Sequence, residues 1–192
     1  MRVCTSGLLV TILNGTYEGY HPPTQRQDVF LGLPYARPPV GSLRFKEPHG
    51  LNAPLSGIRL ATQYSNVCMQ EITSSSLDPR RRPLQRLIAP DKSHQLRHSK
   101  AASENPFIAV SINYRLSAFG FLWGSDEVAA HGSANNGLRD QRLALAWIHE
   151  NIGFFRGDPN KVTIFGQSGG SLSVGKQLIA YGGRDDSFFR VP

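Results

Sequence analysis

Gly166-Gln167-Ser168-Gly169-Gly170 follows a short apolar run, Lys161 to Phe165, and precedes a segment that reads as helix over 169–181. A G-x-S-x-G string is weak by itself, because glycine and serine are common. At a strand-to-helix junction it demands a sharp turn, which residues lacking a Cβ permit at positions 166 and 170. Such a turn lifts the Ser168 hydroxyl clear of the sheet at the start of the next helix. It also aims the backbone N–H of Gly169 toward any oxyanion formed there, with the helix dipole adding to the field. Ser168 is therefore the candidate nucleophile and Gly169 a candidate oxyanion donor, against the plain alternative of a glycine-rich turn with an idle serine.

The residues leading to that junction set the fold class. Phe107-Ile108-Ala109-Val110-Ser111-Ile112 is short, apolar and rich in β-branched residues, which predicts a strand covered on both faces in a parallel sheet. A helix follows, with Asn135 or Asn136 to cap it and Leu138, Leu145, Ile148 and Ile152 along one stripe. Gly157-Asp158-Pro159 ends that element. Strand, helix, strand, helix is the rhythm of an α/β sheet with right-handed crossovers. Toward the N-terminus, 8–20 and 28–36 read as two β-runs joined through a polar, proline-containing turn, which predicts an antiparallel hairpin. From Gln70 to Asn105 periodicity fails, and no helix or strand is assigned.

Charge narrows the partners. Of the formal +7, most comes from Arg80, Arg81, Arg82, Arg86, Lys92, Arg97 and Lys100, set against Asp78 and Asp91 alone. A basic run confined to one irregular segment reads as a solvated loop, so no nucleic-acid partner is expected. With 40% hydrophobic and 18% charged residues the chain has a globular composition. No apolar run approaches the roughly 20 residues of a membrane span. Met1-Arg2-Val3-Cys4 and Leu8-Leu9-Val10 imitate a signal peptide without a small-residue cleavage site, which reads as a truncated or misassigned start. Cys4 and Cys68 could form at most one bridge, and Asn14-Gly15-Thr16 is a sequon; together they lean toward secretion. No metal cluster or phosphate loop appears, and no cofactor is implied.

The sequence resembles the type-B carboxylesterase/lipase family of the α/β-hydrolase fold, particularly secreted fungal lipases and esterases. The resemblance is carried by Asn14 to Gly19, by Phe30-Leu31-Gly32-Leu33-Pro34-Tyr35-Ala36-Arg37-Pro38-Pro39-Val40-Gly41, by Asn113-Tyr114-Arg115-Leu116, and by Gly137-Leu138-Arg139-Asp140-Gln141-Arg142 with Gly157 to Thr163. It covers roughly 8–70 and 106–190. It implies ester hydrolysis through an acyl-enzyme on Ser168, a small-molecule or lipid ester as substrate, a secreted protein, and a structural ion pair between Arg142 and Asp158. The alternative it leaves is a non-catalytic interaction protein of the cholinesterase-like fold.

The sequence departs from the family in three places. Residues 69–106 contain no glycine, so the family's His-Gly-Gly-Gly oxyanion loop has no counterpart there. The family's Glu-Asp-Cys-Leu segment is missing from the same stretch, which leaves Cys68 expected as a free thiol and a strand expected to be lost. The third departure follows Ser168, where the family's acid and then histidine should come. Asp185 and Asp186 lie too close to the turn, and all six histidines, His21, His49, His94, His98, His131 and His149, precede it. The expectation is an incomplete α/β-hydrolase domain over 1–192, with 70–105 an irregular basic segment in place of family-typical sequence. The polypeptide is expected to be inactive alone and to expose apolar edges.

Overall fold

A computed structural model describes residues 7–23, 27–51, 53–65, 107–190 and the backbone of 95–99. The N-terminal run is two strands rather than one. β1 (Leu8–Ile12) and β2 (Gly15–Gly19) form an antiparallel hairpin, from Leu8 opposite Gly19 to Ile12 opposite Gly15. The chain reverses at Leu13-Asn14, a two-residue connection of the kind a following Gly favours. β3 (Gln27–Leu31) then meets the end of β2 through a single antiparallel bridge, Tyr20 to Val29, with both hydrogen bonds at 2.9 Å. Longer pairing is blocked by the backbone of Ala61, which donates to Glu18 O and accepts from Leu31 N, both at 2.7 Å. Just before it, β4 (Ile58–Leu60) runs parallel to β2.

The second sheet has the order β3–β5–β6, with β5 (Gln95–Ser99) and β6 (Phe107–Val110) each antiparallel to its neighbour. This corrects two expectations. A strand was expected to be lost from the 70–105 stretch, yet β5 supplies ladder bonds to both β3 and β6. The Phe107 run was expected in a parallel sheet covered on both faces; it pairs antiparallel with β5 instead and, among the described residues, is an edge strand with Phe107 exposed and Ile108 to Val110 half-buried. Residues 70–94, Cys4 and Cys68 lie outside the described residues.

Among the described residues four α-helices follow, α1 (Ser117–Phe121), α2 (Asp126–Ala130), α3 (Asn136–Asn151) and α4 (Gly169–Gly183), of which α3 and the turn after it pack on the strands. Along α3 the stripe falls as its spacing predicts, with Leu145, Ile148 and Ile152 buried and Leu138 half-buried. Asn135 occupies the cap position in the left-handed region (φ 53°), and its side chain makes no capping bond. Asn136 is fully buried and donates to Phe45 O (3.0 Å) and Ser133 O (3.2 Å), tying the helix start to the preceding loops. A 3₁₀ turn over Ile152–Phe155 and a left-handed Arg156 end the element before Gly157.

The core gathers Ile12, Tyr17, Phe30, Leu33 and Ala61 from the strand side against Leu145, Ile148, Ile152 and Phe155. Phe30 and Phe155 meet edge to face at 5.2 Å, the geometry that the ring quadrupoles favour. Val162 and Ile164 pack on this core while Thr163 and Phe165 are exposed. That alternation is the strand pattern expected for Lys161 to Phe165, but 159–161 is a 3₁₀ turn and 162–165 belongs to no ladder among the described residues. Among the described residues its one backbone bond from a distant residue is Arg190 N to Val162 O, at 2.8 Å. No helix among the described residues is long and apolar enough to cross a membrane.

Candidate active site

Ser168 stands between the extended 162–165 segment and the first turn of α4, with φ 54° and ψ −121°. A non-glycine residue at positive φ is strained by roughly 1–3 kcal/mol and is held only where neighbours determine it. Here the neighbours are the first helical turn and Gly166. Gly170 N bonds to Gln167 O at 2.9 Å, and Ser171 N and Leu172 N bond to Ser168 O at 2.9 and 3.3 Å. The Ser171 hydroxyl donates to the same Ser168 carbonyl at 2.6 Å. A Cβ added at Gly166 would collide with the Gly170 carbonyl carbon and stand 2.9 Å from Ser171 N, so only glycine lets the chain double back so closely. Gly170 differs from the sequence expectation: a Cβ there meets no described atom within 4 Å.

The Ser168 side chain is exposed and, among the described residues, has no hydrogen-bond partner. Gly169 opens α4, so its N–H is one of the four that a helix leaves without an intrahelical acceptor. The two groups thus share one exposed corner, a hydroxyl beside the positive end of a helix dipole.

What fixes this corner is a polar seam between α3 and α4. Gln141 Nε2 donates to Ser173 Oγ at 3.1 Å, and Ser173 Oγ donates in turn to Gly169 O at 3.0 Å. Gln177 Nε2 reaches Leu138 O (2.9 Å) and Gln141 Oε1 (3.2 Å). At the far end, Arg142 pairs with Asp186 and donates to Gln177 O and Arg184 O at 3.4 and 3.3 Å. Arg184, with Nε 2.6 Å from Asp186 Oδ1, is the first cause and Arg142 the second of an Asp186 pKa lowered to about 2.

The expected Arg142–Asp158 pair is not formed. Asp158 instead accepts from Asn160 N at 2.9 Å and lies 3.2 Å from Lys161 Nζ. The short turn begun by Pro159 keeps that carboxylate local, and these bonds hold its pKa down.

A buried pair that the sequence reading missed ties the loop after β6 to α3. Arg115 donates to Asp140 from its backbone N (2.9 Å), Nε (2.8 Å) and Nη2 (2.7 Å), and its Nη1 reaches Lys46 O at 2.6 Å. The signal was available: Asp140, Ala144 and Ile148 recur every four residues, placing one carboxylate on the buried stripe. Burial and the nearby Asp140 charge push the Tyr35 phenol pKa upward, and its hydroxyl donates to Asn113 O at 2.8 Å.

The histidines lie elsewhere. His21 pairs with Asp28 at 2.8 Å, His49 and His131 are exposed, and His149 is half-buried with its ring 6.2 Å from that of Phe188. His94 and the side chain of His98 lie outside the described residues.

Known proteins give this corner a context. A description of the carboxylesterase family matches residues 6–83 and 88–190. Lipase 1 of Geotrichum candidum is 32% identical over 229 residues, covering 90% of this chain and 39% of the relative. Lipase 5 of Diutina rugosa is 32% identical, over 81% of this chain and 37% of its own length. Secreted lipase 1 of Botryotinia fuckeliana is also 32% identical, over 81% and 36%. Among solved structures, a thermophilic PNB esterase superposes with a TM-score of 0.74 at 28% identity, over 94% of this chain and 42% of that one. The chain therefore spans about two-fifths of the length of the relatives it matches. From the strained serine turn, the helix seam behind it and these matches, the chain belongs to the carboxylesterase family and has a partial α/β-hydrolase fold.

Proposed function

We propose that this sequence supplies the nucleophile of a carboxylic-ester hydrolase acting on small-molecule or lipid esters, and that Ser168 is that nucleophile. The observation that carries the reading is the backbone of Ser168, held at φ 54° by a Gly166 that no larger residue can replace. Ser117 and Ser187 are also exposed serines at positive φ, but Ser168 combines it with ψ −121° at the head of a long helix, a strained setting that favours catalysis over an idle turn. Ser168 Oγ would attack the ester carbonyl, the Gly169 N–H would stabilise the oxyanion, and departure of the alcohol would leave an acyl-serine for water to cleave. Acyl transfer of this kind calls for no cofactor.

Serine needs a base, and none bonds to Ser168 among the described residues. The 192-residue polypeptide is therefore proposed to be inactive by itself, since loss of triad members costs up to about 10⁶ in turnover. The domain reading is the same proposal in structural terms: 1–192 as an incomplete hydrolase domain in which 70–105 stands for family-typical sequence. Relatives named as secreted lipases support secretion as the destination.

The test is a chimera that joins this chain to the part of Geotrichum candidum lipase 1 beyond the matched region. Hydrolysis of a p-nitrophenyl ester should appear in the chimera and vanish in Ser168→Ala. A chimera whose activity survives Ser168→Ala would remove Ser168 from the role.

A further inference from the structure

A groove of about 290 Å³ lies between α3, α4 and the α1–α2 region, lined in part by Trp123, Leu138, Arg139, Arg142, Lys176 and Tyr181. Its walls combine two features. Trp123 is 68% exposed and Tyr181 63%, large apolar surfaces left open toward solvent. Among the described residues three cationic side chains line the same space, and no Asp or Glu does.

Those cations are unequally committed. Arg142 is engaged with Asp186, and Arg139 Nη1 lies 2.9 Å from Glu47 Oε2. Lys176 has no ion pair among the described residues and lies on exposed α4. The Tyr181 ring is fixed at one end, where α4 breaks at Ala180–Gly182 and Tyr181 takes φ 55°. The guanidinium carbons of Arg184 and Arg142 stand 4.7 and 5.9 Å from the ring centroid. An aromatic wall already ordered in this way loses little freedom on binding.

We propose that this groove binds an amphiphilic carboxylate, its head at Lys176 and its alkyl chain along Trp123, Leu138 and Tyr181. The charge of Lys176 selects an anion, and the apolar walls select one with a hydrocarbon tail over a small inorganic ion. Lys176 is eight residues along α4 from Ser168, about 12 Å at the helical rise, so the groove is separate from the serine corner. The proposal does not rest on Ser168 being a nucleophile.

Calorimetric titration of the 192-residue chain with octanoate tests it. Octanoate should bind saturably at one site, with 1-octanol and acetate each at least about tenfold weaker. Lys176→Glu and Trp123→Ala alter exposed side chains, and each should weaken octanoate at least about fivefold. Raising the salt concentration should also weaken octanoate binding to the unaltered protein, a comparison free of any folding difference. Ser168→Ala should bind octanoate unchanged. Octanol binding as tightly as octanoate would refute the anion site, and acetate binding as tightly would refute the apolar walls. Lys176→Glu titrating like the unaltered chain, no saturable octanoate binding at all, or loss of binding in Ser168→Ala would overturn the assignment.

Discussion

α3 and α4 are neighbours of nearly equal length with opposite surroundings. α3 buries nine residues, among them Asp140, Gln141 and Arg142, and each of those three polar side chains has a partner. Against the described residues α4 buries only Gln177 and leaves Leu172 69% and Ile179 72% exposed, beside a Phe165 that is 89% exposed. α3 is held by a completed core, whereas α4 is held mainly by a polar seam. The candidate nucleophile therefore sits on the less supported helix. The α3 side of the fold is enclosed, and among the described residues the part that would perform chemistry is bounded on one side only.

This contrast can be broken or sharpened by substitution. The largest effect is expected at Asp140, whose removal strands a buried Arg115. Asp140→Ala should destabilise by about 3–5 kcal/mol in urea titration. A loss under about 1 kcal/mol would mean that the α3 side is less well built than its geometry indicates.

Next come matched truncations on the two helices. Leu145→Ala should cost about 2–5 kcal/mol, through lost burial and the cavity left behind. Ile179→Ala on the open face of α4 should stay within about 0.5 kcal/mol. Equal costs at the two sites would show that α4 is covered in solution.

The turn itself gives a third pair. Gly166→Ala should destabilise by about 1–3 kcal/mol, because its Cβ meets backbone that cannot yield. Gly170→Ala, with open space and no positive φ, should be neutral or stabilising by up to about 1 kcal/mol. The reverse order in thermal melts would contradict the geometry of the elbow.

The smallest effect concerns pH. The Asp186 pKa is lowered to about 2 in the fold by Arg184 and Arg142, against about 3.9 for a free aspartate. A depressed pKa stabilises above the unfolded value, so the contribution is complete above about pH 4 and is lost as pH falls toward 2. Ring resonances of Phe188 and Phe189 should shift across that window while those of Phe30 hold still. In Asp186→Asn the titration should disappear.

How much of this was legible in the sequence follows from the range of each interaction. The turn at Gly166–Ser168 and the α3 stripe depend on residues within a few positions of one another and came out where their spacing put them, although Gly170 has open space and 162–165 joins no ladder among the described residues. Strand partners depend on distant segments: nothing local in Phe107–Val110 shows that its neighbour is the antiparallel Gln95–Ser99. The same holds for Arg142, whose partner is Asp186 because Asp158 is taken by its own turn. Arg115–Asp140 was partly readable, since a carboxylate on a buried stripe requires a cation, but its identity needed the fold.

Ser168 is proposed to be a placed but unactivated nucleophile in this polypeptide, and an active-site phosphonate probe followed by mass spectrometry tests this most directly. The account predicts an unmodified Ser168 under conditions that label a complete esterase fully. Stoichiometric labelling that disappears in Ser168→Ala would contradict it.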